Sequence, residues 1–262
     1  MLQGKIAIVV GGNSGIGAAT SRLLASQGAR VLIASERPVV EMASLCAEIE
    51  KAGGAAEAMH CNIAERGDIT RLFGHVKDAY GRLDILVNCA GVFARAPLTE
   101  MPEDKIDAIF TINLVGAVQL IRAALPLMRE SGGGAIVSIA SAAAVLGVEG
   151  CAAYAASKAA LVHFTRTLAP ELRRTGIRVN CIGPGPVRTP MLGFTEAPLT
   201  AEQQQSMIKR EAGSTSPYGN AMMEPDDIAQ IALFLVSDAA RGMQGAFVVA
   251  DQGISAAMSA PG

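Results

Sequence analysis

The sequence predicts an α/β protein of the doubly wound type, a seven-stranded, mainly parallel sheet with helices on both faces. Three observations predict it. Short apolar runs of strand length alternate with helix-length segments throughout the 262 residues. Almost no two strands follow one another, which argues for crossover connections rather than hairpins. The first strand turns through glycines directly into a helix, as a ligand-binding βα turn does.

Lys5–Val10 is an unbroken apolar run, the pattern of a strand covered on both faces. Ser14–Gln27 follows with apolar residues at helical spacing. Strand Arg30–Ala34, helix Val39–Ala52, strand Ala55–Cys61, helix Ala64–Tyr80 and strand Ile85–Asn88 repeat the alternation. A long helix is expected over Glu103–Glu130, then strand Ala135–Ala140, helix Tyr154–Thr175 and strand Ile177–Ile182. The pattern breaks between Pro184 and Met223, where prolines stand at 184, 186, 190, 198 and 217 and Gln203, Gln204 and Gln205 form a polar run. So long an irregular segment inside a compact domain reads as a binding loop, here a substrate lid over 190–223. Helix Pro225–Ser237 and strand Ala246–Ala250 complete the series. The length suits one domain over 1–262, burying roughly 70–75% of its unfolded surface.

Parallel strands joined by right-handed crossovers place ligands at their carboxyl ends. Gly11, Asn88 and Ser141 each follow such an end. In the segment Gly11, Gly12, Asn13, Ser14, Gly15, Ile16, Gly17, backbone N–H groups and the positive end of the helix dipole are available to a pyrophosphate. Gly11 permits the turn, Gly15 lets backbone approach the ligand, and Gly17 lets helix pack on strand. The spacing is G-x-x-x-G-x-G, and on its own it could equally be a plain tight loop.

Tyr154 stands four residues before Lys158, which puts phenol and ammonium on one helix face, and Ser141 lies upstream. A nearby lysine cation is expected to favour the phenolate and bring the phenol toward working range as a general acid/base. Alone, such a pair arises by accident in many chains.

Together these segments resemble the short-chain dehydrogenase/reductase family, from Lys5 to Gly253. The resemblance is carried by Gly11-x-x-x-Gly15-Ile-Gly17, Asn88-Cys-Ala-Gly91, Asn113 in Ile-Asn-Leu-Val-Gly, Ser141, Tyr154-x-x-x-Lys158 and Asn180-Cys-Ile-Gly-Pro184-Gly185-x-Val187-x-Thr189, in that order. It implies a Rossmann-type fold, an NAD- or NADP-dependent alcohol dehydrogenase or carbonyl reductase, and a tetrad of Asn113, Ser141, Tyr154 and Lys158. Tyr154 would exchange a proton with the substrate oxygen, and Ser141 would orient that oxygen. Lys158 would lower the Tyr154 pKa and hold the cofactor ribose, while Asn113 would anchor a water relay to Lys158. Cofactor contacts would come from Gly11, Asn13, Ser14, Gly15, Ile16 and Gly17; from Ser35, Glu36 and Arg37; from Asn62 and Ile63; from Asn88, Ala90 and Gly91; and from Pro184, Gly185, Val187 and Thr189.

The chain departs from the family pattern in three places. Val10 replaces a threonine that braces the glycine turn, Asn62 replaces an aspartate that accepts from the adenine amino group, and Asp251-Gln252-Gly253 replaces Asp-Gly-Gly. An asparagine can still accept through its carbonyl oxygen. At the ribose selector the chain has Ser35, Glu36 and Arg37. Repulsion of a 2′-phosphate by Glu36 favours NAD, and Arg37 swinging over the adenine would favour NADP.

Candidate substrate contacts are Ser141, Ala143, Glu149, Tyr154, Leu192 and Phe194, with Phe93 and Arg95 after the Asn-Cys-Ala-Gly turn. Most are apolar, which points to a small or medium hydrophobic secondary alcohol or its ketone. Glu149 and Arg95 read as readily as solvated surface charges. Enoyl reduction and epimerisation are open to the same family. A dinucleotide-binding regulator without chemistry would have a damaged tetrad, and a serine hydrolase would need a G-x-S-x-G elbow; neither is seen.

Composition narrows the partners. Lys+Arg 22 against Asp+Glu 24 gives a net charge of −2, with no basic block for nucleic acid or membrane. The sequence offers no uninterrupted apolar span of membrane length and no signal-peptide pattern before the first strand, so a cytoplasmic protein is expected. Its 5 cysteines and 3 histidines are scattered, without metal-ligand spacing. Small and apolar residues on more than one face of the two long helices fit subunit packing, and the family resemblance implies a homotetramer.

Overall fold

The computed structural model describes residues 1–194 and 222–256. Its strands are β1 (Ile6–Val10), β2 (Arg30–Ser35), β3 (Ala55–His60), β4 (Ile85–Asn88), β5 (Gly134–Ile139), β6 (Ile177–Pro184) and β7 (Phe247–Ala250). Helices α1 (Gly15–Ser26), α2 (Val39–Lys51), α3 (Arg66–Tyr80), α4 (Glu103–Phe110), α5 (Ala117–Glu130), α6 (Ala152–Glu171) and α7 (Pro225–Val236) alternate with them. The sheet order is β3-β2-β1-β4-β5-β6-β7, and every ladder is parallel. Antiparallel strands, which the expected "mainly parallel" sheet allowed, do not occur among the described ladders.

The apolar strand runs follow from burial on both faces. All five residues of β1 are buried. Ala7 and Val9 enter the layer with Leu24 of α1 and Ile228 of α7, whereas Ile6, Ile8 and Val10 enter the opposite layer with Leu72 of α3 and Leu120 of α5. A period of two thus feeds two cores from one strand. Strand order reverses between β1 and β4, so the chain leaves their carboxyl ends in opposite directions and a crevice opens there. Val10 and Asn88, partners in the ladder, are the last residues before it.

The glycine turn is held by close approach. Gly11 has φ +71, and a Cβ there would lie 2.7 Å from the Ala90 backbone nitrogen. A Cβ on Gly17 would lie 2.0 Å from the Gly11 carbonyl oxygen, a contact that backbone cannot relieve. Gly17→Ala is therefore expected to cost about 1–3 kcal/mol or more and to weaken cofactor binding by displacing the turn. Thermal unfolding and a cofactor titration check both effects.

One expected element is altered. The helix over Glu103–Glu130 is broken by a π turn, Thr111–Gly116, which carries Asn113. A Cβ on Gly116 would lie 2.8 Å from the Ile63 carbonyl oxygen, so the π turn sets close backbone contact against the β3–α3 loop. An 18-residue window of this helix has mean hydropathy 1.7, enough in length and composition for a bilayer span. Leu120, Ile121, Ala124, Leu127 and Met128, however, bury against the sheet.

Most of the expected lid, residues 195–221, lies outside the described residues. Its two ends are joined. Met223 N donates to Pro186 O at 2.9 Å, Arg188 N donates to Met223 O at 2.9 Å, and Arg188 pairs with Glu224 at 3.0 Å.

Candidate active site

A cavity of about 990 Å³ opens at the carboxyl ends of the strands. The glycine turn, the β2–α2 and β3–α3 loops, the β4 end and the segment after β6 line one part of it. Ser141, Tyr154, Phe93, Arg95 and Leu192 line the other. Crossover topology alone has gathered segments from across the whole chain.

Ser14 opens α1 in extended conformation with no side-chain cap, and the first turn of α1 holds no acidic residue. The amides of this helix end therefore remain available to an anion. Gly15 has φ +49, and a Cβ would lie 2.9 Å from the Thr189 Cγ2, so this turn meets the segment after β6 closely. At the far end Ser35 Oγ accepts from Arg37 N at 3.2 Å, fixing the loop that carries Glu36 and Arg37. Ile63, Ala90, Gly91, Pro184, Gly185, Val187 and Thr189 also reach the cavity, as do Asn13, Ile16 and Asn62. Asn62 Oδ1 already accepts from Ala64 N at 3.0 Å, which leaves one lone pair of that oxygen for adenine. Asp68 holds the same loop by accepting from Asn62 N at 2.9 Å.

The reacting end is built on α6 and the β5 terminus. Ser141 follows β5 in extended conformation, and its hydroxyl accepts from Ala143 N at 3.1 Å. Tyr154 packs edge-on against Phe93, with ring centroids 4.9 Å apart and planes at 90°. Lys158, only 4% exposed, donates through Nζ to Ile139 O at 3.0 Å and lies 5.8 Å from the Tyr154 ring centroid.

The electrostatics differ from expectation. Lys158 was expected to lower the Tyr154 pKa. In the ligand-free cavity burial raises it, the Ser141 hydroxyl opposing that rise and Cys151 adding to it. Lys158 itself is brought down to about 8, because burial penalises its cation. Desolvation is the largest cause of both shifts. The phenol therefore stays protonated at neutral pH, and Lys158 stays mostly charged.

Asn88 and Asn113 do not line the cavity and stand behind it. Asn88 Oδ1 accepts from Ala90 N at 3.3 Å, bracing the turn after β4. Asn113, 1% exposed, accepts from Val92 N at 2.8 Å and donates to Val92 O at 3.0 Å and Ser157 Oγ at 3.1 Å. Its amide clamps the β4–α4 segment through Val92, and Oδ1 keeps one lone pair on the side of Lys158, since Oδ1 and Lys158 Nζ would each lie 3.2 Å from a Cβ on Gly91. Ser157 Oγ in turn donates to Tyr154 O at 2.7 Å, tying that clamp to α6.

Two expected substrate contacts are not among the described residues that line the cavity. Glu149 is exposed and outside the cavity, contributing only its carbonyl, which accepts from Arg95 Nε at 3.1 Å. Phe194 also lies outside the lining, with Arg188 5.8 Å above its ring. Ala143 and Leu192 do line the cavity.

Residues 10–255 match the family model described as enoyl-(acyl carrier protein) reductase. The chain is 35% identical over 253 residues to a 3-oxoacyl-(acyl-carrier-protein) reductase of Thermotoga maritima, covering 97% of this chain and 98% of the relative. The chain belongs to the short-chain dehydrogenase/reductase family. A D-threitol dehydrogenase of Mycolicibacterium smegmatis is 36% identical over 252 residues, covering 96% of this chain and 93% of the relative. A short-chain type dehydrogenase/reductase from Mycobacterium marinum superposes with TM-score 0.86 at 28% identity, over 97% of this chain and 96% of that one. Short-chain dehydrogenases/reductases are oxidoreductases that typically use nicotinamide cofactors, and the cradle described above suits one.

Within this short-chain dehydrogenase/reductase Glu41, Cys151 and Met191 line the cavity without belonging to a motif, while Leu146 and Val148 fall in the stretch between Ser141 and Tyr154 where pocket positions are expected. Glu41, in the first turn of α2, joins Glu36 at the far end. Cys151, Leu146, Val148 and Met191 wall the reacting end, and Asp251 lines the cavity while its carboxylate accepts from Gly253 N at 3.0 Å and Ser255 N at 2.7 Å. For Ser157 a signal existed in its place inside Tyr-x-x-x-Lys, but only contact with Asn113 gives it a task.

Proposed function

We propose that this protein interconverts a hydrophobic secondary alcohol and its ketone, using NAD in preference to NADP, with Tyr154 as general acid/base. The observation that carries the reading is a half-buried phenol, flanked by Ser141 and Lys158, in the same cavity as the glycine turn. The nicotinamide, when bound, supplies or accepts the hydride. In reduction Tyr154 passes its phenolic proton to the substrate oxygen, so that negative charge does not accumulate there. Ser141 donates a hydrogen bond to the same oxygen and holds it against Tyr154. The Lys158 cation stabilises the phenolate left behind, and in oxidation the proton returns to it. With one N–H given to Ile139 O, Lys158 retains two donors for ribose hydroxyls.

NAD is favoured by charge. Glu36 and Glu41 line the adenosine end against the single cation Arg37, and two carboxylates disfavour a 2′-phosphate. The walls at the reacting end favour an apolar substrate, through Phe93, Leu146, Val148, Met191 and Leu192. The family relatives named above act by name on a 3-oxoacyl-(acyl-carrier-protein) and on D-threitol, so names leave the substrate open. A homotetramer in the cytoplasm remains our reading of its working form.

A screen of alcohols and ketones with both cofactors, followed by nicotinamide absorbance, tests this. We expect turnover of hydrophobic secondary alcohols and at least tenfold higher kcat/KM with NAD. Oxidation confined to sugars or polyols would contradict the substrate class, and preference for NADP the cofactor assignment.

A further inference from the structure

We infer that Arg95 is an anion anchor and that the otherwise apolar substrate carries a carboxylate, as an oxo or hydroxy acid does. This rests on the oxidoreductase reading and names the substrate class for the same site.

Arg95 is held in place. Its Nε donates to Glu149 O at 3.1 Å, and Ala96 N donates to Gly150 O at 3.0 Å, so the loops after β4 and β5 are latched together beneath it. Gly150 has φ +74, and a Cβ there would lie 3.0 Å from the Arg95 Cγ, so the side chain runs over bare backbone. The guanidinium pairs with no carboxylate among the described residues, although it lines the cavity. An arginine whose backbone-facing N–H is satisfied keeps its outer fork for a planar carboxylate.

Arg95 shares the cavity with Phe93, Cys151 and Tyr154, and the Phe93 ring packs edge-on against Tyr154, so apolar wall lines the same space as the guanidinium. The other charged groups of the cavity are engaged elsewhere: Lys158 stands at the reacting centre, Asp251 is bonded to Gly253 and Ser255, and Glu36, Arg37 and Glu41 lie at the adenosine end.

The test uses a homologous series of methyl-ketone carboxylates and their methyl esters, assayed with the wild type, Arg95→Gln and Arg95→Lys after thermal unfolding shows the variants folded. The wild type should prefer a carboxylate to its ester by about tenfold or more in kcat/KM, expressed mainly in KM. That preference should fall about 10- to 100-fold in Arg95→Gln and be partly kept in Arg95→Lys. Added salt should raise KM for the carboxylate more than for the ester, because Arg95 is exposed. A wild type that prefers esters, or a carboxylate preference that survives Arg95→Gln, overturns the inference while leaving the oxidoreductase reading intact. Failure to reduce either series or any simple ketone, with either cofactor, overturns both.

Discussion

Tyr154→Phe is expected to lower kcat by roughly 10²- to 10⁴-fold while leaving the cofactor dissociation constant within about threefold of the wild type. The substitution removes one oxygen and keeps the ring, so the edge-on contact with Phe93 at 4.9 Å persists and the fold is undisturbed. What is lost is the hydroxyl proposed to give a proton to the substrate oxygen and to take it back. Steady-state kinetics in both directions, with a calorimetric cofactor titration, separates the two quantities. Retention of most of the activity would remove Tyr154 from the chemistry.

Lys158→Met is expected to abolish most turnover and yet make the ligand-free protein more stable at pH 7. Burial brings the lysine from 10.5 to about 8, a cost of about 3 kcal/mol for keeping the cation in the folded state. Leaving the Ile139 carbonyl without its donor offsets part of this, by about 1–2 kcal/mol. A net gain of about 1–2 kcal/mol remains, or several degrees in Tm for a domain of this size. The pH dependence is diagnostic. Because the folded pKa is depressed, folded protein binds fewer protons than unfolded chain between about pH 8 and 10.5, and wild-type stability rises over that window. The advantage of Lys158→Met should therefore shrink as pH is raised through it. Thermal unfolding of both proteins at pH 7 and near pH 10 checks the sign.

Both expectations show where sequence reading stops. The glycine turn was legible because Gly11 and Gly17 answer to backbone constraints that act locally. The strands were legible because a sheet covered on both faces needs unbroken apolar runs, as in Ile6–Val10. Tyr154 and Lys158 were legible through helical spacing. Their pKa values were not, since burial sets them and burial depends on β5, β6 and the π turn packing around α6. The π turn itself was hidden because the apolar pattern of Glu103–Glu130 runs through it unbroken. Asn113 was legible as a site residue, but its clamp was not: its amide bonds Val92, twenty-one residues earlier. Glu149 and Phe194 stand outside the cavity lining, a placement sequence could not give because loop residues have no period from which their direction can be read.

The atom that receives the hydride distinguishes carbonyl reduction from enoyl reduction. An α,β-unsaturated ketone offered with reduced cofactor deuterated at the transferable position presents both a carbonyl and a carbon–carbon double bond. Mass spectrometry and NMR of the product then locate the label. Proton delivery from Tyr154 to an oxygen held by Ser141 predicts deuterium on the carbinol carbon, with the double bond retained. Deuterium on the β-carbon of a saturated ketone would contradict it.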